Sequence, residues 1–177
     1  MTRREWVLTA AVALAAGGAG FGYNMWRTSA DEEVEKAAQA LKSVELPGLD
    51  GKPQALRAWS GKLLVVNFWA TWCGPCREEI PVFIRLQERH ASRGLQFIGI
   101  AIDEPVRVRA YAREVGINFP LLIAGMGGVE LARVFGNRAG VLPYSVIVRP
   151  DGGIAAKHAG AFKEEQLEKL LTPLFSR

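Results

Sequence analysis

Cysteine and histidine are scarce in this chain, with two of each among 177 residues. Cys73 and Cys76 form one Cys-x-x-Cys pair, so no cysteine remains for a structural disulfide elsewhere. A chain of this length can bury a core without such staples. A zinc finger of the two-Cys, two-His kind needs a pair of histidines about 12 to 15 residues further on. His90 falls in that window, but Gly94, Leu95 and Gln96 occupy the places of its partner, and His158 is far away. Haem attachment needs histidine directly after the second cysteine, and that residue is Arg77. No metal or cofactor is therefore expected. The net charge of +4 is spread along the chain with no run of five like charges, which gives no footing for nucleic-acid binding. Gly125-Met126-Gly127-Gly128 lacks the Gly-Lys-Ser/Thr of a phosphate loop.

What is present begins with Arg3 and Arg4, followed by an apolar run from Trp6 to Trp26 and then Arg27. As a helix, that run would reach roughly 30 Å, the thickness of a bilayer's hydrocarbon core. Three readings compete. An uncleaved anchor explains the length and the aromatic ends, Trp6 on one side and Tyr23 with Trp26 on the other. A cleaved signal would use Thr28-Ser29-Ala30, and the two arginines loosely match a twin-arginine signal. A core helix is disfavoured by Gly17, Gly18, Gly20 and Gly22. The positive-inside rule exports everything after the run. The expected organisation is a membrane anchor or signal over residues 1–27, a polar linker over 28–45 and one domain over 46–177. A helix-compatible stretch, Val34 to Leu41, lies in the linker.

Asp50-Gly51 signals a hairpin turn at the domain's start. Leu63 to Phe68 is a continuous apolar run rich in valine, the pattern of a strand covered on both faces. A helix is predicted from Cys73 or Gly74 to His90, with a kink at Pro81. Then follow a strand over Leu95 to Ile102, a helix over Glu104 to Val115 stopped by Gly116, and a short strand over Phe119 to Ile123. A short helix spans Val129 to Phe135, a strand Tyr144 to Val148, a turn Pro150 to Gly153, a strand Ile154 to Ala159, and a closing helix Lys163 to Leu174. Alternating strands and helices that end in a hairpin predict an α/β fold: a mixed sheet with helices on both faces.

Two thiols between a strand and a helix suit dithiol exchange. The nucleophile is a thiolate, and Cys73 sits where a helix begins, so unpaired N–H groups and the helix dipole stabilise its charge. Pro75 fits the first helical turn, where its missing N–H costs nothing. Cys76, one turn further in, is better shielded and suits a resolving thiol. The bland alternative is two cysteines packed as small apolar residues. Trp69 and Trp72 read as packing and a substrate-facing platform. Arg77 and Glu78 read as solvated, and His90 and His158 have no motif partner nearby in sequence.

Val65 to Pro81, Val-Val-Asn-Phe-Trp-Ala-Thr-Trp-Cys-Gly-Pro-Cys-Arg-Glu-Glu-Ile-Pro, resembles the active-site stretch of the thioredoxin superfamily. Within it the similarity is greatest to the TlpA/ResA-like membrane-anchored thiol-disulfide oxidoreductases of bacteria, and it extends over Leu46 to Phe175. The resemblance implies a thioredoxin fold with an N-terminal β-hairpin extension and a single transmembrane helix. It implies a redox-active Cys73–Cys76 disulfide, a cis-proline at Pro143, and substrate binding by Trp72, Gly74, Pro75, Leu142 and Pro143. It also implies protein disulfide substrates, a transmembrane thiol-electron donor, and a domain facing the periplasm from the bacterial inner membrane, in cytochrome c or cytochrome oxidase biogenesis. Where thioredoxins carry a buried aspartate this chain has Asn67, which cannot take a proton. Glu79 matches an acidic position of the TlpA/ResA-like group and is the expected third catalytic residue, tuning the thiols and moving protons. Its alternative is a solvated helix charge. Two other functions stay open: an oxidant or isomerase of the same fold, and a non-enzymatic redox-gated copper-binding or chaperone module.

Overall fold

The computed structural model describes residues 39–175. The predicted anchor and most of the linker, including the start of the Val34 to Leu41 stretch, lie outside the described residues. Among the described residues no helix is long and apolar enough to cross a membrane. Residues 39–43 are helical, and Leu41 is buried against Leu56 and Leu64.

Among the described residues seven strands follow in order: β1 (Glu45–Pro47), β2 (Pro53–Ala55), β3 (Leu63–Trp69), β4 (Leu95–Ala101), β5 (Leu121–Ile123), β6 (Tyr144–Val148) and β7 (Ile154–Ala159). After residues 39–43, the described residues form the helices α1 (Gly74–His90), α2 (Pro105–Val115), α3 (Gly128–Val134) and, beyond β7, α4 (Glu164–Leu171). β1 and β2 form the antiparallel hairpin, closed by Gly51 at φ +79 and joined to β5 through a bridge between Gly48 and Leu122. The main sheet has the order β5-β4-β3-β6-β7. β3, β4 and β5 are parallel, whereas β6 and β7 run antiparallel to their neighbours. This is the mixed sheet that the alternation of elements predicts.

All seven residues of β3 are buried, as a central strand covered on both faces requires. Side chains alternate along it. Leu63, Val65 and Trp69 face the layer of α1, α2 and α4, while Leu64, Val66 and Phe68 face α3 and the hairpin side. The two crossovers β3-α1-β4 and β4-α2-β5 advance across the sheet in the same direction, so right-handed connection puts both helices on one face. α1 runs unbroken through Pro81, and its buried stripe is Cys76, Ile80, Phe83 and Leu86. Burying each large apolar side chain contributes about 1.5–3 kcal/mol, so three of them clamp the helix and thereby place its first turn. α2 stops at Gly116, whose φ of +72 suits glycine, and the closing helix ends as a 3-10 turn over Thr172–Leu174.

Candidate active site

The C-terminal ends of β3 and β4 hold the loop that carries the first cysteine. Ile102 N–H donates to the Trp69 carbonyl at 2.8 Å, and Thr71 N–H donates to Asp103 Oδ2 at 2.9 Å. The Thr71 hydroxyl donates to the same oxygen. Burial pushes the Asp103 carboxyl up, but the Thr71 hydroxyl and the N–H groups of Glu104 and Thr71 outweigh it and hold the group below its ordinary value. It is thus a charged anchor for the loop. No sequence signal singles out Asp103, because its partner is 32 residues away.

Cys73 is the N-cap of α1, and its Sγ accepts the Cys76 N–H at 3.3 Å. The two sulfurs are joined in a disulfide. They are unequal in access: Cys73 is 7% exposed and Cys76 is fully buried. Gly74 and Pro75 are exposed on the outside of the first turn, with open space where a Gly74 side chain would be. The expected pair of tryptophans divides. Trp69 is buried against Tyr111, with ring centroids 5.7 Å apart, whereas Trp72 is 64% exposed beside Cys73. Arg77 is exposed, its guanidinium 5.5 Å from the Tyr111 ring centre.

Cys73 opens onto a cavity of about 310 Å³ whose walls include Trp72, Ile102, Val129, Asn137 and Leu142. Leu142 precedes Pro143 through a cis peptide bond, so the structure brings the two cysteines and the predicted proline segment to one place. Asn137 shapes that segment: its Nδ2 donates to the Val141 carbonyl at 2.8 Å, and its Oδ1 accepts the Val141 N–H at 3.2 Å. Another cavity, of about 230 Å³, lies at the far end of β3 and β6 beside Leu64 and Val148, away from the sulfurs.

Glu79 is not a solvated charge. It is 1% exposed, one helical turn beyond Cys76. Its Oε1 accepts Asn67 Nδ2 at 2.7 Å, and its Oε2 accepts the Phe162 N–H at 3.0 Å. Asn67 also donates to Ser145 Oγ at 3.0 Å. Burial pushes the Glu79 carboxyl up to about 7, against the lowering effect of the Phe162 N–H and the Asn67 amide. A group poised there can take or give a proton near neutral pH. The helix position of Glu79 was legible in the sequence. Its partners were not, because Phe162 is 83 residues away.

Residues 37–157 match the AhpC/TSA family. The thiol-disulfide oxidoreductase ResA of Bacillus thuringiensis (strain Al Hakam) is 30% identical over 148 residues, covering 81% of this chain and 83% of the relative. The thioredoxin-like protein YneN of Bacillus subtilis (strain 168) is 30% identical over 155 residues, covering 85% and 88%. Among solved structures, a thioredoxin-family thiol:disulfide interchange protein from Chlorobium tepidum TLS superposes with a TM-score of 0.65 at 31% identity, over 75% of this chain and 93% of that one. A secreted disulfide oxidoreductase of Mycobacterium tuberculosis superposes with a TM-score of 0.66 over 77% and 98%, and at 24% identity it shows the fold alone. With its thioredoxin-like sheet and its Cys73–Cys76 pair at the head of α1, the chain belongs to the AhpC/TSA family and, within it, to the ResA-type thiol-disulfide oxidoreductases.

Proposed function

We propose that the chain is a disulfide reductase of exported proteins, tethered to the inner membrane by its N-terminal segment and working in the periplasm. The observation that carries this reading is the unequal access of the two sulfurs, Cys73 at the cavity wall and Cys76 sealed behind it. In the reduced enzyme the Cys73 thiolate attacks one sulfur of a substrate disulfide. A Cys73–substrate disulfide forms, and the other substrate sulfur leaves as a thiolate that takes up a proton. Cys76, deprotonated, then attacks Cys73 Sγ, closes the Cys73–Cys76 disulfide and expels the second substrate sulfur. Two electrons pass from the dithiol to the substrate. Return to the dithiol needs an external thiol donor, for which a transmembrane thiol carrier is the class that the resemblance implies.

Glu79, one turn from Cys76 and poised near neutral, takes the proton from the Cys76 thiol as that sulfur becomes a nucleophile. Trp72, Gly74, Pro75, Leu142 and Pro143 form the rim on which an extended substrate segment lies. The apolar run Trp6 to Trp26 behind Arg3 and Arg4 supports the tether and the exported side.

Trapping tests this reading. Cys76→Ser should accumulate mixed disulfides on Cys73, and Cys73→Ser should not. Equal trapping on Cys76 in the Cys73→Ser protein would reverse the assignment, and no trapping by either variant would remove it.

A further inference from the structure

His158 lies on β7 opposite Ser145 of β6, and Ser145 lies opposite Asn67 of β3. Directly paired residues of antiparallel strands share a face, so Asn67, Ser145 and His158 form one polar row across three strands. That face is the one packed by α1, from which Glu79 meets the row at Asn67. The His158 ring stacks on Phe162 with centroids 3.9 Å apart and an interplanar angle of 21°. Phe162 is buried, and its N–H is the donor held on Glu79 Oε2. Between the two rings the chain turns at Gly160, at φ +97, whose N–H donates to the Pro143 carbonyl at 2.9 Å. The segment 158–162 is therefore a strap, tied at Gly160 to the proline segment and at Phe162 to the buried carboxyl, and clasped by its two end rings.

We propose that His158 is a positioning residue for the redox site: by stacking on Phe162 it closes the strap over Glu79 and keeps water from its carboxyl. The ring face is the contact used, since the His158 ring nitrogens make no hydrogen bond to another described residue. The groups facing Glu79 are Asn67 from β3, the Phe162 N–H from the strap, and Cys76 one turn back on α1, with Ser145 and His158 beyond Asn67 in the row. No charged side chain among the described residues is hydrogen-bonded to Glu79. Burial is the dominant influence on its proton affinity. Opening the strap acts on that influence first: water admitted to the carboxyl favours its charged form.

The inference rests on Glu79 as the proton carrier for its meaning in catalysis, but its test does not. The Glu79 carboxyl is titrated by carbon-13 NMR in the oxidised full-length protein, where neither cysteine titrates, and is assigned by its absence in Glu79→Gln. His158→Ala should lower the titration midpoint by about one pH unit or more, as expected for partial rehydration of a buried carboxyl. His158→Phe keeps a flat ring over Phe162 and should restore the wild-type midpoint. If His158→Ala does not fold, His158→Thr, whose short β-branched side chain suits a strand and leaves the Phe162 ring uncovered, takes its place with the same expected direction. A midpoint unmoved by loss of the ring would overturn the proposal, even with a lowered Tm. So would a His158→Phe protein that titrates like His158→Ala.

Discussion

Asn67 Nδ2 donates to Glu79 Oε1 at 2.7 Å and to Ser145 Oγ at 3.0 Å, so one buried amide joins β3 to both α1 and β6. An amide suits this position because it supplies the N–H that a carboxylate beneath it requires. Asn67→Asp would set a second carboxyl against the first. Two carboxyls at that distance cannot both ionise, so the pair would hold a proton that the unfolded chain releases. The variant should lose stability as pH rises, by about 1–3 kcal/mol relative to wild type at pH 8 and by less at pH 5. Urea denaturation at the two pH values checks this. An unchanged difference between them would count against a shared, buried site.

Glu79 itself gives the oxidised wild-type protein a pH-dependent stability whose sign is fixed by its raised pKa. Between about pH 4.5 and 7 the unfolded chain has released this proton and the folded chain has not. The folded state then binds more protons, so the free energy of unfolding falls as pH rises. The loss is complete above about pH 7 and amounts to something on the order of 3 kcal/mol. Glu79→Gln should flatten this slope. A denaturation series from pH 4 to 8 on both oxidised proteins shows whether the slope belongs to Glu79. In the reduced protein the same variant should slow closure of the Cys73–Cys76 disulfide and shift the pH profile of thiol alkylation.

The direction of electron flow is read from the reduction potential. Equilibration with a glutathione or dithiothreitol buffer should give a value near that of thioredoxin, about −270 mV, for a reductase. A value near −120 mV would mark the chain as an oxidant instead. Tight Cu(I) binding without turnover of any protein disulfide would favour the copper-handling alternative.

Gly99 has no side chain because there is no room for one. A Cβ there would lie 2.6 Å from Leu121 Cδ2 and 2.9 Å from Trp69 Nε1. Both neighbours are buried, and Trp69 sits immediately before the loop of Cys73. Gly99→Ala should destabilise the protein by about 1–3 kcal/mol through overpacking, read as a lower denaturation midpoint. Wild-type stability would mean that Leu121 and Trp69 move aside freely.

Local features were legible in sequence wherever the cause is local. Tyr144–Val148 and Ile154–Ala159 have the bounds that their apolar runs and the Pro150-Asp151-Gly152-Gly153 turn indicate. The predicted helix from Gly74 to His90 is likewise observed, because Pro75 marks its start and its apolar spacing marks its buried face. The short strand is narrower than its apolar run: Phe119 packs into the core without joining β5, which begins at Leu121.

The strand, the cysteine loop and the helix are written in the order of the residues, since hydrophobic period, proline placement and cysteine spacing are properties of contiguous residues. The same spacing puts Glu79 one turn after Cys76. What Glu79 is depends on the assembled fold. Its burial comes from the packing of α1 on the sheet, and its hydrogen bonds come from Asn67 and Phe162, which are distant in sequence and meet only once β3, α1 and the strap are assembled. Proton affinity depends on the dielectric surroundings and on partners in space, so the choice between a proton-handling carboxyl and a solvated helix charge, open in the sequence, falls to the buried carboxyl poised near neutral pH. His158, bland as a letter in the chain, acquired its place for the same reason: the β6–β7 register set it in the row of Ser145 and Asn67.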